Sequence, residues 1–250
     1  MKVTIVTVVY NSASTIADAM ESVLRQTYKD IEYIIVDGQS NDGSVDIIRQ
    51  YESRFQGRLR WISEPDKGIY DAMNKGVHMA TGDVVGILNS DDFFTADNVI
   101  EKMVDHFTAD VDAVYGDVCF VKAKNPKKRV RYYSGRIFRP WQLHFGFLPP
   151  HPSLYVRRFL FDKCGYYDTS YRISADFEFI IRLCQHHKRL KYLHMNFVTM
   201  RIGGASTRDW ESRFVGAKEN LRACKQNHLF SNRGLICLKY PLKVIAFLPW

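Results

Sequence analysis

Two rhythms of apolar residues alternate along the first 120 positions. Val3–Val9 is an unbroken, β-branched-rich run, the pattern of a strand buried on both faces. Asn11-Ser12 then opens a helix predicted to run to about Gln26, with Ile16, Ala19, Met20, Val23 and Leu24 on one face. Tyr33–Val36 is a second apolar run ending at Asp37, and the polar turn Gly38–Gly43 leads into a helix through about Phe55. Leu59–Ile62 reads as a short strand, Asp66–Gly68 turns into a helix through about Ala80, and Val84–Leu88 is the next strand. Alternation of this kind predicts an α/β fold, a Rossmann-like and mostly parallel central sheet flanked by helices. Ligands of such sheets bind beyond the carboxyl ends of the strands. Asn11, Asp37 and Asp91 all sit at such ends, which predicts one polar site on one sheet edge.

Farther along, Asp97–Phe107 reads as a helix and Ala113–Lys122 as a strand. Residues 122–139 hold eight basic residues and no acidic one, and are expected as an exposed loop or hairpin. Pro149-Pro150-His151-Pro152 is a rigid turn before an extended Ser153–Val156. Ser174–Leu183 is expected to be helical, and Gly203-Gly204 marks a loop. Glu211–His228 reads as a basic amphipathic helix with Phe214, Ala217, Leu221 and Cys224 on one side. The expected organisation is a first half, 1–120, a second half of the same domain, 121–207, and a helical C-terminal extension, 208–250.

Charge changes the picture. Residues 1–120 carry ten Lys+Arg against twenty Asp+Glu, whereas residues 121–250 carry twenty-five against seven. An acidic half suits a metal, and a basic half suits phosphates of nucleic acid or of an anionic membrane surface. The five cysteines are scattered with no CxxC, so neither a disulfide framework nor a zinc knuckle is supported and a reducing, cytoplasmic setting is expected. The opening strand lacks the features of a signal peptide. No run is long enough to span a bilayer, since Leu235–Trp250 is broken by Lys239, Pro241, Lys243 and Pro249.

The sharpest chemical feature is Leu88-Asn89-Ser90-Asp91-Asp92. Two adjacent carboxylates at the end of a buried strand repel each other and cost desolvation. A divalent cation with a diphosphate as its other partner would offset both. The plain alternative is an Asp-rich turn capping the next helix. No glycine precedes Gly38, so the first strand–helix turn cannot be a GxGxxG phosphate cradle. GxxxxGK[ST], HExxH and GxSxG are also absent, which argues against P-loop, metalloprotease and hydrolase chemistry.

Five motifs then occur in order: Thr7–Asn11, Val36–Ser44, Asp66–Gly76, Gly82-Asp83 and Leu88–Asp92. Together with Ser174-Ala175-Asp176-Phe177-Glu178 they resemble the family 2 glycosyltransferases of GT-A fold, over roughly residues 1–205. Within that family the chain looks like the branch found in bacterial capsule, O-antigen, lipopolysaccharide and colanic-acid clusters. The resemblance implies that Thr7, Tyr10 and Asp37 line the base and ribose of a nucleotide sugar, with Val9, Gly68, Asn74, Asn89 and Ser90 as further donor contacts. It implies that Asp91, with Asp92 as a weaker partner, holds Mg²⁺ or Mn²⁺ against the diphosphate. His151 is a candidate third metal ligand or acceptor contact. Asp176 would deprotonate the acceptor hydroxyl, with inversion at the anomeric carbon; its plain alternative is a carboxylate stabilised by a helix N-terminus. Arg201 is a candidate to close over the donor phosphates. Two departures stand out: Asp37-Gly38 where many relatives have adjacent aspartates, and Asn89 where many have aspartate.

The expected donor is a nucleotide sugar, a UDP-sugar foremost. The expected acceptor is a polyprenyl-diphosphate-linked glycan at the inner face of the plasma membrane, met as a peripheral protein. The basic C-terminal segment, with Phe247, Leu248 and Trp250, reads as lying on that membrane; the alternative is a helix packed on the domain or in a homodimer. A soluble or protein acceptor is the rival within the class. A nucleic-acid-binding module is the rival outside it, supported only by the basic half, and no nucleic-acid partner is expected.

Overall fold

The computed structural model describes residues 1–123, 125–187, 189–202 and 210–238. The chain runs β1 (Val3–Val9), α1 (Ile16–Leu24), β2 (Ile31–Asp37), α2 (Ser44–Tyr51), β3 (Leu59–Ser63), α3 (Ile69–Met79), β4 (Val84–Ile87), β5 (Phe93–Phe94) and α4 (Val99–Val104). It continues through β6 (Ala113–Lys122), β7 (Asn125–Tyr133), β8 (Tyr155–Arg157), α5 (Phe159–Cys164), α6 (Ala175–His186), β9 (Leu190–Arg201) and α7 (Trp210–Gln226).

Among the described residues nine strands form one sheet, ordered β3-β2-β1-β4-β8-β6-β9-β5 with β7 paired to β6. The first four are parallel, as the alternation predicts. Beyond them β8 runs antiparallel to both β4 and β6, while β9 lies parallel to β6. The basic segment is the β6–β7 hairpin. The long strand β9 is not anticipated by the sequence reading. Its apolar residues are interleaved with Lys191, His194 and Asn196, and only its last part, around Phe197–Thr199, is buried.

The sheet separates two cores. On one face Val6, Val8, Ile34 and Val36 meet α3, α5, α6 and α7. On the other Ile5, Tyr33 and Ile35 meet α1, α2 and α4. Period-2 alternation within β1 and β2 thus feeds both cores, which is why every residue of the two strands is buried. Gly76 of α3 lets the helix lie close on the sheet, since a Cβ there would lie 2.2 Å from a Val6 methyl.

Helix α1 starts at Ile16, four residues after the expected Ser12. The intervening polar groups are committed elsewhere: the Asn11 N–H donates to the Ser40 hydroxyl, the Ser12 N–H to that of Ser44, and Ser12 and Ser90 share a hydroxyl bond of 2.8 Å. Asn11 also adopts φ +49°, a left-handed conformation that Asn tolerates. These contacts make 10–15 a loop over the sheet edge instead of a helical turn. Helix α7 packs on the body through Asn220, Ala223 and Cys224, whereas Phe214 is exposed. Among the described residues no helix is long and apolar enough to cross a membrane. Gly203-Gly204 and the tail residues Phe247, Leu248 and Trp250 lie outside the described residues.

Candidate active site

The carboxyl ends of β1, β2 and β4 face the same way and open into a cavity of about 990 Å³. Val9, Tyr10 and Gly38 line it from the ends of β1 and β2, and Gly68 from the start of α3. Tyr10 stands 68% exposed, a free aromatic face for a planar ligand. Gly38 explains how the loop before α3 reaches in. A Cβ at residue 38 would lie 2.3 Å from Asp66 Oδ2 and 3.4 Å from the Tyr10 ring. The Asp66 carboxylate therefore occupies the space that any larger residue would fill. Its Oδ1 accepts the Gly68 N–H at 2.8 Å, and its Oδ2 has no protein donor among the described residues.

Asp37 is fully buried and does not line the cavity. Its Oδ2 accepts the Ser40 N–H and the Ser63 hydroxyl, and its Oδ1 is buried without a partner. Two other expected donor contacts are structural. Thr7 is fully buried and its hydroxyl accepts a bond from Tyr33. Asn74 holds the Tyr167 backbone from both sides, donating to its carbonyl and accepting its N–H. Both belong to segments that border the site, but their side chains point into the packing.

The acidic turn follows β4. Asn89, Ser90, Asp91 and Asp92 all line the cavity. Burial, then the neighbouring Asp91 charge, pushes Asp92 well above the usual carboxylate range, against an Asn89 Nδ2–H bond of 3.0 Å. Burial raises Asp91 as well. Arg201 does not neutralise the pair through an ion pair: it donates to the Asp91 carbonyl and to the Asp18 carboxylate, with its guanidinium over the Phe93 ring. It is largely buried, lines the cavity and fixes the turn from the end of β9. Asn89 Oδ1 is buried with no partner. A half-buried carboxylate, a second one held at high pKa and an orphaned amide oxygen form a hard-oxygen donor set that fits Mg²⁺ or Mn²⁺. Asp91 and Asn89 would hold such an ion, with Asp92 behind them.

His151 does not join that set. Among the described residues no group of three His, Cys, Asp or Glu side chains is placed to hold a metal. Its Nε2 meets the Tyr167 hydroxyl at 2.9 Å. Burial lowers its pKa below the usual imidazole range, against the pull of Asp176. The imidazole is thus a neutral group on the Asp176 side of the cavity.

Asp176 lies in the first turn of α6 and lines the cavity. Its Oδ1 accepts the Phe177 N–H at 2.8 Å and faces the Tyr70 hydroxyl at 3.4 Å, so no protein donor among the described residues engages Oδ2. Tyr70 donates its one proton to the Ile173 carbonyl. Burial and the Asp176 charge keep that phenol far above its usual range, hence protonated. From below, Glu219 of α7 accepts the N–H groups of Arg172, Ile173 and Ser174 at 2.8–2.9 Å. Tyr70, Asp66 and Glu219 are site residues that the sequence reading does not assign; only the first two lie in a motif.

Residues 4–168 match the profile described as Glycosyl transferase family 2. Over 212 residues the chain is 32% identical to proteins named PGL/p-HBAD biosynthesis glycosyltransferase from Mycobacterium bovis (strain BCG / Pasteur 1173P2) and Mycobacterium tuberculosis (strain ATCC 25177 / H37Ra), an overlap of 82% of this chain and 79% of theirs. Among solved structures it is similar to the mannosyltransferase PcManGT from Pyrobaculum calidifontis, in complex with GDP-Man and Mn²⁺, with TM-score 0.68, 18% identity and 88% of this chain covered. It is also similar to residues 1–349 of S. aureus TarS in complex with UDP, with TM-score 0.64, 17% identity and 88% covered. The chain spans 64–65% of the length of those two solved proteins, and these likenesses bear on the fold, which is GT-A. By the match over residues 4–168 and by its mycobacterial relatives, the chain belongs to glycosyl transferase family 2.

Proposed function

We propose that this glycosyltransferase moves a sugar from a nucleotide-sugar donor to an acceptor hydroxyl with inversion, and that the acceptor is a lipid-linked glycan of a bacterial surface polysaccharide. The observation that carries the reading is that the Asn89–Asp92 turn and Asp176 line one cavity. The donor base would lie against Tyr10, with an imino N–H toward Asp66 Oδ2. Uracil supplies such an N–H, and the UDP seen in the TarS structure supports that choice. Asp91 and Asn89 would hold Mg²⁺ or Mn²⁺, which when bound offsets charge on the diphosphate as a Lewis acid; the Mn²⁺ with GDP-Man in PcManGT supports this.

On the other side Asp176 accepts the proton of the acceptor hydroxyl as its oxygen attacks the anomeric carbon. The new glycosidic bond forms as the bond to the diphosphate breaks, and the nucleoside diphosphate leaves with the electron pair. The Phe177 N–H holds the carboxylate through Oδ1 and leaves Oδ2 for the proton, while Tyr70, held protonated, gives its own proton to the Ile173 carbonyl beside it. The neutral His151 can accept or donate a hydrogen bond to the incoming sugar.

Thermal unfolding with Mn²⁺ and each of UDP, GDP, TDP and CMP, with and without chelator, tests the donor half. Binding to the folded state raises Tm by mass action. The expected result is a rise with UDP that chelator removes. No rise with any nucleotide would overturn the reading.

A further inference from the structure

Two large apolar side chains stand in water on a stretch of chain that has no carboxylate. Ile137 is 68% exposed and Trp141 60% exposed, with Arg136 and Arg139 exposed beside them. Trp141 belongs to the 3-10 turn Pro140–Phe145, in which residues three apart share a face. His144 therefore lies on the Trp141 side. Its Nδ1–H donates to the Phe230 carbonyl, and the Ser231 hydroxyl donates to the His144 carbonyl. These bonds bring Phe230, 73% exposed, to the same side. The two segments that meet here share one charge character. No Asp or Glu occurs from Val118 to Phe161, a stretch with ten Lys+Arg, and none from Asn220 to the end of the chain.

We propose that the turn Arg136–Phe145, with Phe230 beside it, is a surface that docks on an anionic lipid bilayer. Tryptophan prefers the headgroup level of a bilayer, arginine meets the lipid phosphates, and apolar side chains enter the boundary beneath. Ile137 favours lipid over nucleic acid, because an aliphatic side chain cannot serve as a stacking platform for bases. The place in the fold matters too. Strand β7, which leads into the turn, contributes Arg131 and Tyr133 to the cavity wall, and Leu148 and His151 line it just past the turn. Docking here sets the Asp176 side of the cavity at the membrane, where a lipid-borne acceptor presents its sugar. The inference rests on the lipid-linked acceptor above, but vesicle binding is read without donor or acceptor.

The test is co-sedimentation of the full chain with vesicles of phosphatidylcholine, with and without phosphatidylglycerol. The expected result is binding only where phosphatidylglycerol is present, weakened about tenfold or more by Ile137→Ser with Trp141→Ser and by Arg136→Gln with Arg139→Gln. Unchanged Tm and unchanged nucleotide response in both variants show that they fold. Equal binding of wild type and variants, equal binding to both vesicles, or binding to single-stranded RNA and to neither vesicle would each overturn the proposal. Vesicle binding by a protein without any nucleotide response would sink the transferase reading and leave the surface standing; the reverse pair of results would do the opposite.

Discussion

At Gly38 the structure turns a departure from the family pattern into a geometric requirement. The residue has no need of a special backbone angle; it is small because the Asp66 carboxylate lies where its side chain would be. Gly38→Ala should push the Asp66 carboxylate aside at small cost in stability and should weaken nucleotide binding, both read by thermal unfolding with and without UDP. The same substitution with unchanged UDP affinity would remove Asp66 from base recognition. Asp176→Asn should cut kcat by about 10²-fold or more while leaving the nucleotide-induced Tm shift intact; loss of both would make Asp176 structural. Asn89→Asp should destabilise the free protein, because a third carboxylate replaces the bond donated to Asp92, and Mn²⁺ should restore the loss more than in wild type. Asp91 and Asp176 are legible in sequence because a local motif carries each. The Gly38–Asp66 fit is not, because it depends on two loops 28 positions apart meeting over one sheet edge. Thr7 and Asn74 mislead for the opposite reason: they lie in the right segments, but their side chains bond Tyr33 and Tyr167.

Among the elements, α7 takes the role that the sequence leaves open between a membrane segment and a packed helix. Its inner face is buried, and Glu219 clasps the three N–H groups that precede α6. A hydrogen bond to a charged group contributes about 1.5–3 kcal/mol, and less at the exposed Arg172 N–H than at the part-buried Ile173 and Ser174. Glu219→Gln should therefore lower Tm and reduce kcat more than it changes donor KM, since it loosens the Asp176 turn and not the nucleotide pocket. An effect on donor KM alone would contradict that assignment. Parallel strands β1 to β4 are legible because each is a short apolar run between turn signals. Strand β9 is not, because polar residues interrupt its period and its partner β6 lies nearly eighty residues away. The sequence reading leaves His151 open between a third metal ligand and an acceptor contact, and its imidazole bonds Tyr167 and feels the Asp176 charge.

At the scale of the whole molecule, Glu32 is a buried source of acid sensitivity. Burial raises its carboxyl, but the Thr81 N–H, the Thr4 and Thr81 hydroxyls and Lys2 outweigh that and hold it at about 2. It ties β1, β2 and the loop before β4 together and pairs with Arg60 of β3. A carboxyl with a depressed folded pKa contributes stability above its unfolded value of 4.5 and loses it as pH falls toward about 2. Glu32→Gln should flatten the decline of unfolding free energy across that window, measured by denaturant titration at stepped pH. An unchanged slope would assign acid unfolding to other groups.

The antiparallel strand β8 also sets a schedule. Strands β1 to β4 are complete in the chain by residue 87, but the free edge of β4 finds its partner only with Tyr155–Arg157, some seventy residues later. At synthesis rates of about 5–20 residues/s that delay is about 4–14 s. Throughout it, Val84–Ile87 is an unpaired apolar edge, the kind that recruits a second nascent chain. Polysomes carrying chains halted before Tyr155 should therefore accumulate holding chaperones, and chains halted beyond Arg157 should shed them.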